Sequence, residues 1–496
     1  MPHTPDTPAH TALASRAHGT PATRTSRARR AAYAPLAAVA AAALLAGCGQ
    51  GAGEATGASG AESETAAAVD PSDRETHEAA GANPRVAVTY DGGVLVLDAL
   101  TGEQLADLPT EGFTRLNQGG DNRHLFLTEG DSFRLLDAGT WSEPHGDHNH
   151  SYTTDPVLSD QRIEGSHPGH LVVHDGTAAA FFDGDGVVKS FDPSALDATA
   201  AISTDDLTLP DAHHGVAVPR EDGSVVLTEG TEDSRSTVLI QAADGEEIAR
   251  TADCPGVHGE AVAADGVITL GCENGIVIVD GDSVEHIAAD VDYARIGNQA
   301  GSDASPVVLG DYKTDPDAEQ ENPTQVSLTD TASGEIQVVD LPASYAFRSL
   351  ARGPEGEALV LGDDGTLRVI DPESGDITAE VPVTEAWDEP ADWQQPMPSL
   401  TVSDDLAFVS DPEAQRISIV DLTKAEDGAE AVVTSYELPQ VPNEVAVASG
   451  AVSEASHEGD GEDGHDHGED EGHDHEDEDH EGHDHGDEEG HEGHDH

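Results

Sequence analysis

The 26 histidines of this 496-residue sequence are the side chains best suited to chemistry, and they are unevenly spread. One group is His145-Gly-Asp-His148-Asn-His150. A second is His167-Pro-Gly-His170, continued by His174 after Leu-Val-Val. Then come His213-His214-Gly and Val257-His258-Gly. His170, His214 and His258 recur at intervals of 44 residues, each just before or at the start of a short apolar run with a glycine beside it. Neutral imidazole nitrogens bind first-row divalent metals. A lone histidine in such a place is more often satisfied by a backbone carbonyl. Three at one phase of a repeat, beside a His-x-x-His-x-His segment, point instead to a metal. The candidate ligands are therefore His145, His148, His150, His167, His170, His174, His213, His214 and His258, with Asp147, Asp175 or Asp211 as a fourth donor.

The elements that must position these side chains are short β-strands. Runs such as Val86-Ala-Val-Thr-Tyr and Val94-Leu-Val-Leu alternate with Asp-Gly, Gly-Asp and Asn-Gly turns, the hairpin signal. Units start near residues 86, 115, 167, 211, 256, 294, 346 and 398, so each unit has room for four antiparallel strands. That is the arithmetic of a propeller blade. The expected fold is all-β, a β-propeller of about eight blades with seven as the alternative. Pairing of the N-terminal strands with Pro442-Asn-Glu-Val-Ala-Val-Ala would close it and cover both edges. Innermost strands line a propeller's central channel, so equivalent histidines on consecutive blades would face one axis.

Residues 451–496 form a separate segment, with 11 histidines, 21 acidic residues and no basic one. Its composition does not support a packed core, and it reads as a disordered, acidic, His-rich tail. Gly-His-Asp-His recurs through it, and imidazole with carboxylate is a donor set for Zn²⁺. The candidate ligands are His465, His467, His473, His475 and His480, then His483, His485, His491, His494 and His496. Such exposed, degenerate sites bind weakly and exchange quickly. Because imidazole binds only when neutral, capture fades below about pH 6.5.

At the other end, five arginines precede an Ala/Leu-rich run that stops at Leu45-Ala46-Gly47-Cys48, which resembles a bacterial lipobox. Residues 1–47 are thus expected to be a lipoprotein signal peptide, with Cys48 the lipidated residue. Residues 48–84 would be a flexible linker, 85–450 the propeller and 451–496 the metal-binding tail. The protein would then sit outside the cytoplasm, lipid-anchored to the outer face of the cell membrane. In that oxidising setting the two remaining cysteines, Cys254 and Cys272, are expected to form a disulfide. The formal net charge of -77 excludes a basic nucleic-acid-binding surface and argues against docking on anionic lipid.

Five strings resemble the AztD-type zinc metallochaperones, extracytoplasmic β-propellers associated with a zinc ABC importer. They are Glu143-Pro-His-Gly-Asp-His-Asn-His, His170-Leu-Val-Val-His-Asp-Gly, Phe181-Phe-Asp-Gly-Asp-Gly, His213-His-Gly-Val-Ala-Val-Pro and Cys254-Pro-Gly-Val-His-Gly-Glu-Ala. The resemblance spans about residues 83–450. It implies one zinc site of high affinity and direct transfer to the importer's substrate-binding protein, an AztC-like partner. The matching positions are His145, His148, His150, His170, His174, His213, His214 and His258. The lipobox Cys48 and the acidic tail depart from that pattern, which leaves the division of capture and delivery between tail and ring unfixed.

The expected function is a non-enzymatic carrier that captures extracytoplasmic Zn²⁺ and hands it to a transporter. The alternatives are a metal-dependent propeller enzyme of hydrolase or lactonase type, and a propeller scaffold whose tail buffers metal. Against an enzyme, the sequence shows no nucleophile motif and no base set apart from the histidine clusters.

Overall fold

The computed structural model describes residues 71–318 and 320–453. The lipobox with Cys48, most of the expected linker and the tail histidines lie outside the described residues. Nearly everything described is β-structure, with only short 3-10 segments such as Pro193–Ala195 and Leu422–Ala431. No described helix is long and apolar enough to cross a membrane.

Most strands assort into four-stranded antiparallel sheets in chain order, and the sheet begun by His258–Val262 gains a fifth, parallel strand, Ala294–Arg295. The first sheet holds Arg85–Tyr90, Gly93–Asp98 and Gln104–Pro109, and its remaining strand is Val445–Ala448 from the far end of the chain. The second comprises Leu116–Gln118, His124–Thr128, Ser132–Asp137 and Val157–Glu164. The third, fourth and fifth begin at Pro168–His174, Ala217–Pro219 and His258–Val262, and the next three at Gln299–Ala300, Leu350–Arg352 and Leu400–Ser403. This succession is consistent with a propeller.

Local sequence explains the hairpins. Between Pro168–His174 and Thr177–Phe182 the loop is only Asp175-Gly176, with both residues at positive φ (47° and 69°). Asp and Gly tolerate that region, and the resulting twist matches that of the strands it joins.

Burial falls from the middle strands to the last strand of each sheet. In Gly93–Asp98 five of six residues are buried, whereas none is in Gln104–Pro109. The middle strands read as continuous Val, Leu and Phe because both faces are covered by neighbouring sheets. Apolar clusters lie between successive sheets: Phe133 and Phe182 join the second to the third, and Leu227 with Phe181 the third to the fourth. Phe408, Ile417 and Ile419 of the last sheet share a cluster with Val86, Leu95 and Leu97 of the first. The fourth and fifth sheets meet at a cluster containing both cysteines. These form the expected disulfide, Cys254–Cys272, with Cα atoms 4.9 Å apart.

Two features stand outside the repeat. His145–His150 falls within the span of the second sheet. It is the tip of a hairpin, Thr140–His145 with His148–Thr153, inserted within the second sheet between its third and fourth strands. Residues expected in the linker join it: His77–Ala79 pairs with Ser151–Thr153 as a third strand. The polar strand His77-Glu-Ala lacks the apolar run that marks the middle strands, so nothing in its pattern announces it.

Candidate metal centre

Three first strands carry the inner cluster. His170 lies in the strand opening the third sheet, His214 three residues before Ala217–Pro219, and His258 begins the fifth sheet. The pairing register shifts between Pro168 and Leu171 and again between His258 and Glu260. Such bulges re-aim side chains at the end of a sheet. At the second bulge Gly259 has φ +73°, and a Cβ there would lie 2.5 Å from the Gly297 carbonyl oxygen.

His170, His214 and His258 each offer a ring nitrogen, and these atoms lie within 4.8 Å of one another. The ring centroids are 5.0–5.4 Å apart. Each Nδ1 has an oxygen of its own nearby. For His258 this is the Gly297 carbonyl at 2.7 Å, and for His214 the Asp183 carboxylate at 2.6 Å. His170 Nδ1 lies 3.3 Å from Glu260 Oε2, an ion-pair contact rather than an aligned hydrogen bond. An acceptor on Nδ1 fixes the tautomer and leaves Nε2 to ligate. Gly169 permits the approach of Asp183, because a Cβ there would stand 2.3 Å from its carboxylate.

The electrostatics split the three rings. Burial, followed by the neighbouring His170, pushes His258 down to about 3 against the opposing Gly297 hydrogen bond, so it is neutral at any physiological pH. Burial alone would also lower His170, but the Glu260 carboxylate overrides it and raises the imidazole above its ordinary value. The cluster therefore places anionic or carbonyl oxygens behind three convergent imidazoles, a donor set suited to a metal ion.

The outer cluster is the hairpin. His148 Nε2 lies 3.2 Å from His150 Nε2, which lies 3.3 Å from His145 Nδ1. Glu78 on the added strand accepts from His150 Nδ1 at 3.0 Å, and Asp147 contacts His148 Nδ1 at 3.2 Å. Unlike the inner three, His145 and His148 are exposed.

The structure keeps the other candidates apart from both clusters. His213 is buried, with Nδ1 on the Asp211 carbonyl and Nε2 against Thr228, so both ring nitrogens are engaged. His174 Nδ1 donates to the Pro219 carbonyl at 2.7 Å. His167 is exposed at a positive-φ turn. Of the carboxylates suggested by proximity in sequence, Asp211 contributes only its carbonyl and Asp175 caps the backbone N–H of Glu221. Only Asp147 attends a cluster, the outer one.

Sequence reasoning missed Asp183, Glu260, Glu78 and the Gly297 carbonyl. Glu260 lies only two residues after His258, but the bulge at Gly259 interrupts strand alternation between them, so the pattern does not pair it with the cluster. Asp183 and Glu78 are brought in by tertiary contacts across 31 and 72 residues, which no local pattern signals.

No family model matches the chain. It is 28% identical over 350 residues to the zinc chaperone AztD of Citrobacter koseri, covering 68% of this chain and 80% of that protein. The chain is similar to AztD. Crystal structures of Citrobacter koseri AztD and of its apo form superpose with TM-scores of 0.64 and 0.62 at 23% identity, covering 74% of this chain and 98% of theirs. That likeness establishes a fold shared with AztD along almost the whole of the AztD structures.

Proposed function

We propose that this chain is an extracytoplasmic zinc metallochaperone. It captures Zn²⁺, holds it at His170, His214 and His258, and passes it to the substrate-binding protein of a zinc ABC transporter, an AztC-like partner. The observation that carries this reading is the inner cluster: three imidazoles from successive sheets, each with Nδ1 facing an oxygen of its own. Three nitrogen ligands leave one position of a tetrahedral ion open, which suits a cargo that a partner's ligand must take. Similarity to a protein named a zinc chaperone supports zinc over other divalent ions and a carrier over an enzyme. The frame is an eight-bladed ring closed by Val445–Ala448 on Arg85–Tyr90. The apolar cluster shared by the last and first sheets favours that closure. The lipobox sequence supports anchoring at Cys48 on the outer face of the membrane, and the tail's composition supports capture by residues 451–496.

The test is transfer in competition. The zinc-loaded chain is mixed with the substrate-binding protein of a zinc importer, in the presence of a chelator that scavenges free ion. Zinc arriving on the acceptor despite the chelator, and lost with His258→Ala, is the expected result. Zinc appearing first on the chelator refutes direct transfer.

A further inference from the structure

Trp393 is 47% exposed, yet its backbone is clamped from beneath. Arg348 Nη2 donates to the Trp393 carbonyl at 3.3 Å, and Asn443 Nδ2 to the Gln394 carbonyl at 2.8 Å. Arg348 and Asn443 are themselves buried and bonded to each other at 2.6 Å, and Arg348 pairs with the buried Glu444 at 2.9 Å. Phe113 meets the indole edge-on with ring centroids 5.3 Å apart, and Phe347 lies 6.4 Å from it. The Arg115 guanidinium stands 5.8 Å from the Trp393 ring and 6.0 Å from that of Phe347. An indole left in water on an immobilised backbone is preorganised for contact with another surface.

This aromatic group lies at the same end of the sheets as the inner histidines. Arg115 directly precedes the first strand Leu116–Gln118, while Phe347 and Trp393 precede the first strands Leu350–Arg352 and Leu400–Ser403. Leu116–Gln118 lies against Pro168–His174, the strand that carries His170. Two links tie the group to the cluster. Gly297, whose carbonyl accepts from His258 Nδ1, is followed by Asn298, whose Nδ2 donates to the Phe347 carbonyl at 2.8 Å. On the other side, burial and the Arg115 charge both oppose protonation of His170.

An ion on three nitrogens is taken over when a ligand of the receiving protein fills its open position. The acceptor must therefore rest on the end where the cluster lies. Aromatic residues and Arg are the side chains enriched at interface cores and hot spots. A second copy of this chain is disfavoured there, because it carries the same formal net charge of -77 and like charge opposes association. The exposed acids Glu111 and Asp392 flank the aromatic group in sequence, which suits a partner of opposite charge. We propose that Phe113, Phe347 and Trp393, with Arg115, form the docking surface for the substrate-binding protein that receives the ion, and that this partner meets it with an apolar side chain inside a basic rim. The inference rests on the carrier reading above and adds where the acceptor sits.

The test follows zinc transfer from the full-length, zinc-loaded chain to the apo substrate-binding protein of a zinc importer, at rising acceptor concentration with a scavenging chelator present. Trp393→Ala should raise the half-saturating acceptor concentration about tenfold or more, the scale of removing an interface anchor. The saturated transfer rate and the zinc affinity of the inner cluster should stay unchanged, and Trp393→Phe should restore most of the docking. Phe113→Ala, which removes only the edge contact, should act in the same direction. Transfer by the unaltered chain that keeps its half-saturation in Trp393→Ala and Phe113→Ala overturns the docking surface and leaves the carrier reading standing. A fall in inner-cluster affinity that accounts for the lost transfer also overturns it, by making Trp393 a support of the histidines. Self-association of the chain that Trp393→Ala abolishes, read by sedimentation, overturns it by making the occupant a second copy. No transfer from the unaltered chain overturns the carrier reading and this surface together.

Discussion

An inner imidazole serves as a ligand only while its proton is held on Nδ1, so each acceptor behind the cluster matters as much as the ring it faces. Asp183 is the clearest case, 2.6 Å from His214 Nδ1 and only partly buried. Asp183→Asn keeps the shape but removes the carboxylate that accepts from His214 Nδ1. Zinc affinity at the inner cluster should fall about ten- to a hundredfold with little change in the melting temperature, as measured by chelator competition beside a thermal melt. Unaltered affinity would mean that Asp183 only fills space. The histidines themselves were legible because a 44-residue recurrence marks equivalent positions in a repeat. Their roles were not. His213 and His214 are adjacent, yet His213 is enclosed by Thr228 and the Asp211 carbonyl while His214 faces the cluster. Only tertiary packing distinguishes them.

The hairpin stands on a charged knot at the end of the strand Ser132–Asp137. The fully buried Asp137 carboxylate takes hydrogen bonds from Arg74 and Arg123 at 2.7 Å, and from the backbone N–H of Gly139 at 2.8 Å. Arg123 also lies 4.1 Å from the Trp141 ring centroid in the hairpin. Burial alone would raise the Asp137 carboxyl, but hydrogen bonds from Arg123, with His124 and Arg74 beside them, hold it well below the usual carboxylate range. A depressed folded value stabilises the fold above the unfolded value of about 3.9 and loses that contribution as pH falls below it. Acid unfolding should therefore begin below about pH 4 at this knot. Asp137→Asn, which leaves one buried and one partly buried guanidinium short of a partner, should destabilise by about 3 kcal/mol at neutral pH and flatten the acid limb of the stability curve. Chemical denaturation across pH measures both. The Cys254–Cys272 bond acts at the other cluster: Gly271, just before Cys272, pairs with His258. Replacing both cysteines by Ala should cost about 3 kcal/mol by the loop-entropy relation for an 18-residue separation, read by denaturant titration. The strands and their turns were legible because Asp-Gly pairs punctuate β-branched runs. The added strand His77–Ala79 was not, because its stability comes from pairing with the hairpin rather than from its own apolar pattern.

At the scale of the whole molecule, strand direction separates the two clusters. The inner histidines lie where first strands begin. The hairpin follows a third strand, which runs parallel to the first strand of its antiparallel sheet, and so emerges where first strands end. The tail leaves at that same end, after Val445–Ala448. Repeat spacing revealed a succession of four-stranded units but not which end each cluster occupies, because the hairpin is an insertion outside the repeat. This separation makes the electrostatics of capture and holding different. The chain carries a formal net charge of -77, and 21 of its acidic residues are in the last 46 positions. A field of that sign concentrates cations near exposed donors, and salt screens it beyond about 10 Å at 0.1 M ionic strength. The inner cluster is half-buried and draws on neighbours at 2.6–3.3 Å, well inside that length. Raising the ionic strength from about 0.01 M to 1 M, which shortens the screening length from about 30 Å to 3 Å, should therefore weaken the numerous exposed sites together while leaving the inner cluster nearly unchanged. Zinc titrations of the full chain at the two salt concentrations, with His258→Ala marking the inner site, measure this. If the inner site weakens in parallel with the rest, its affinity is set by the long-range acidic field rather than by Asp183, Glu260 and the Gly297 carbonyl, and the division between capture and holding fails.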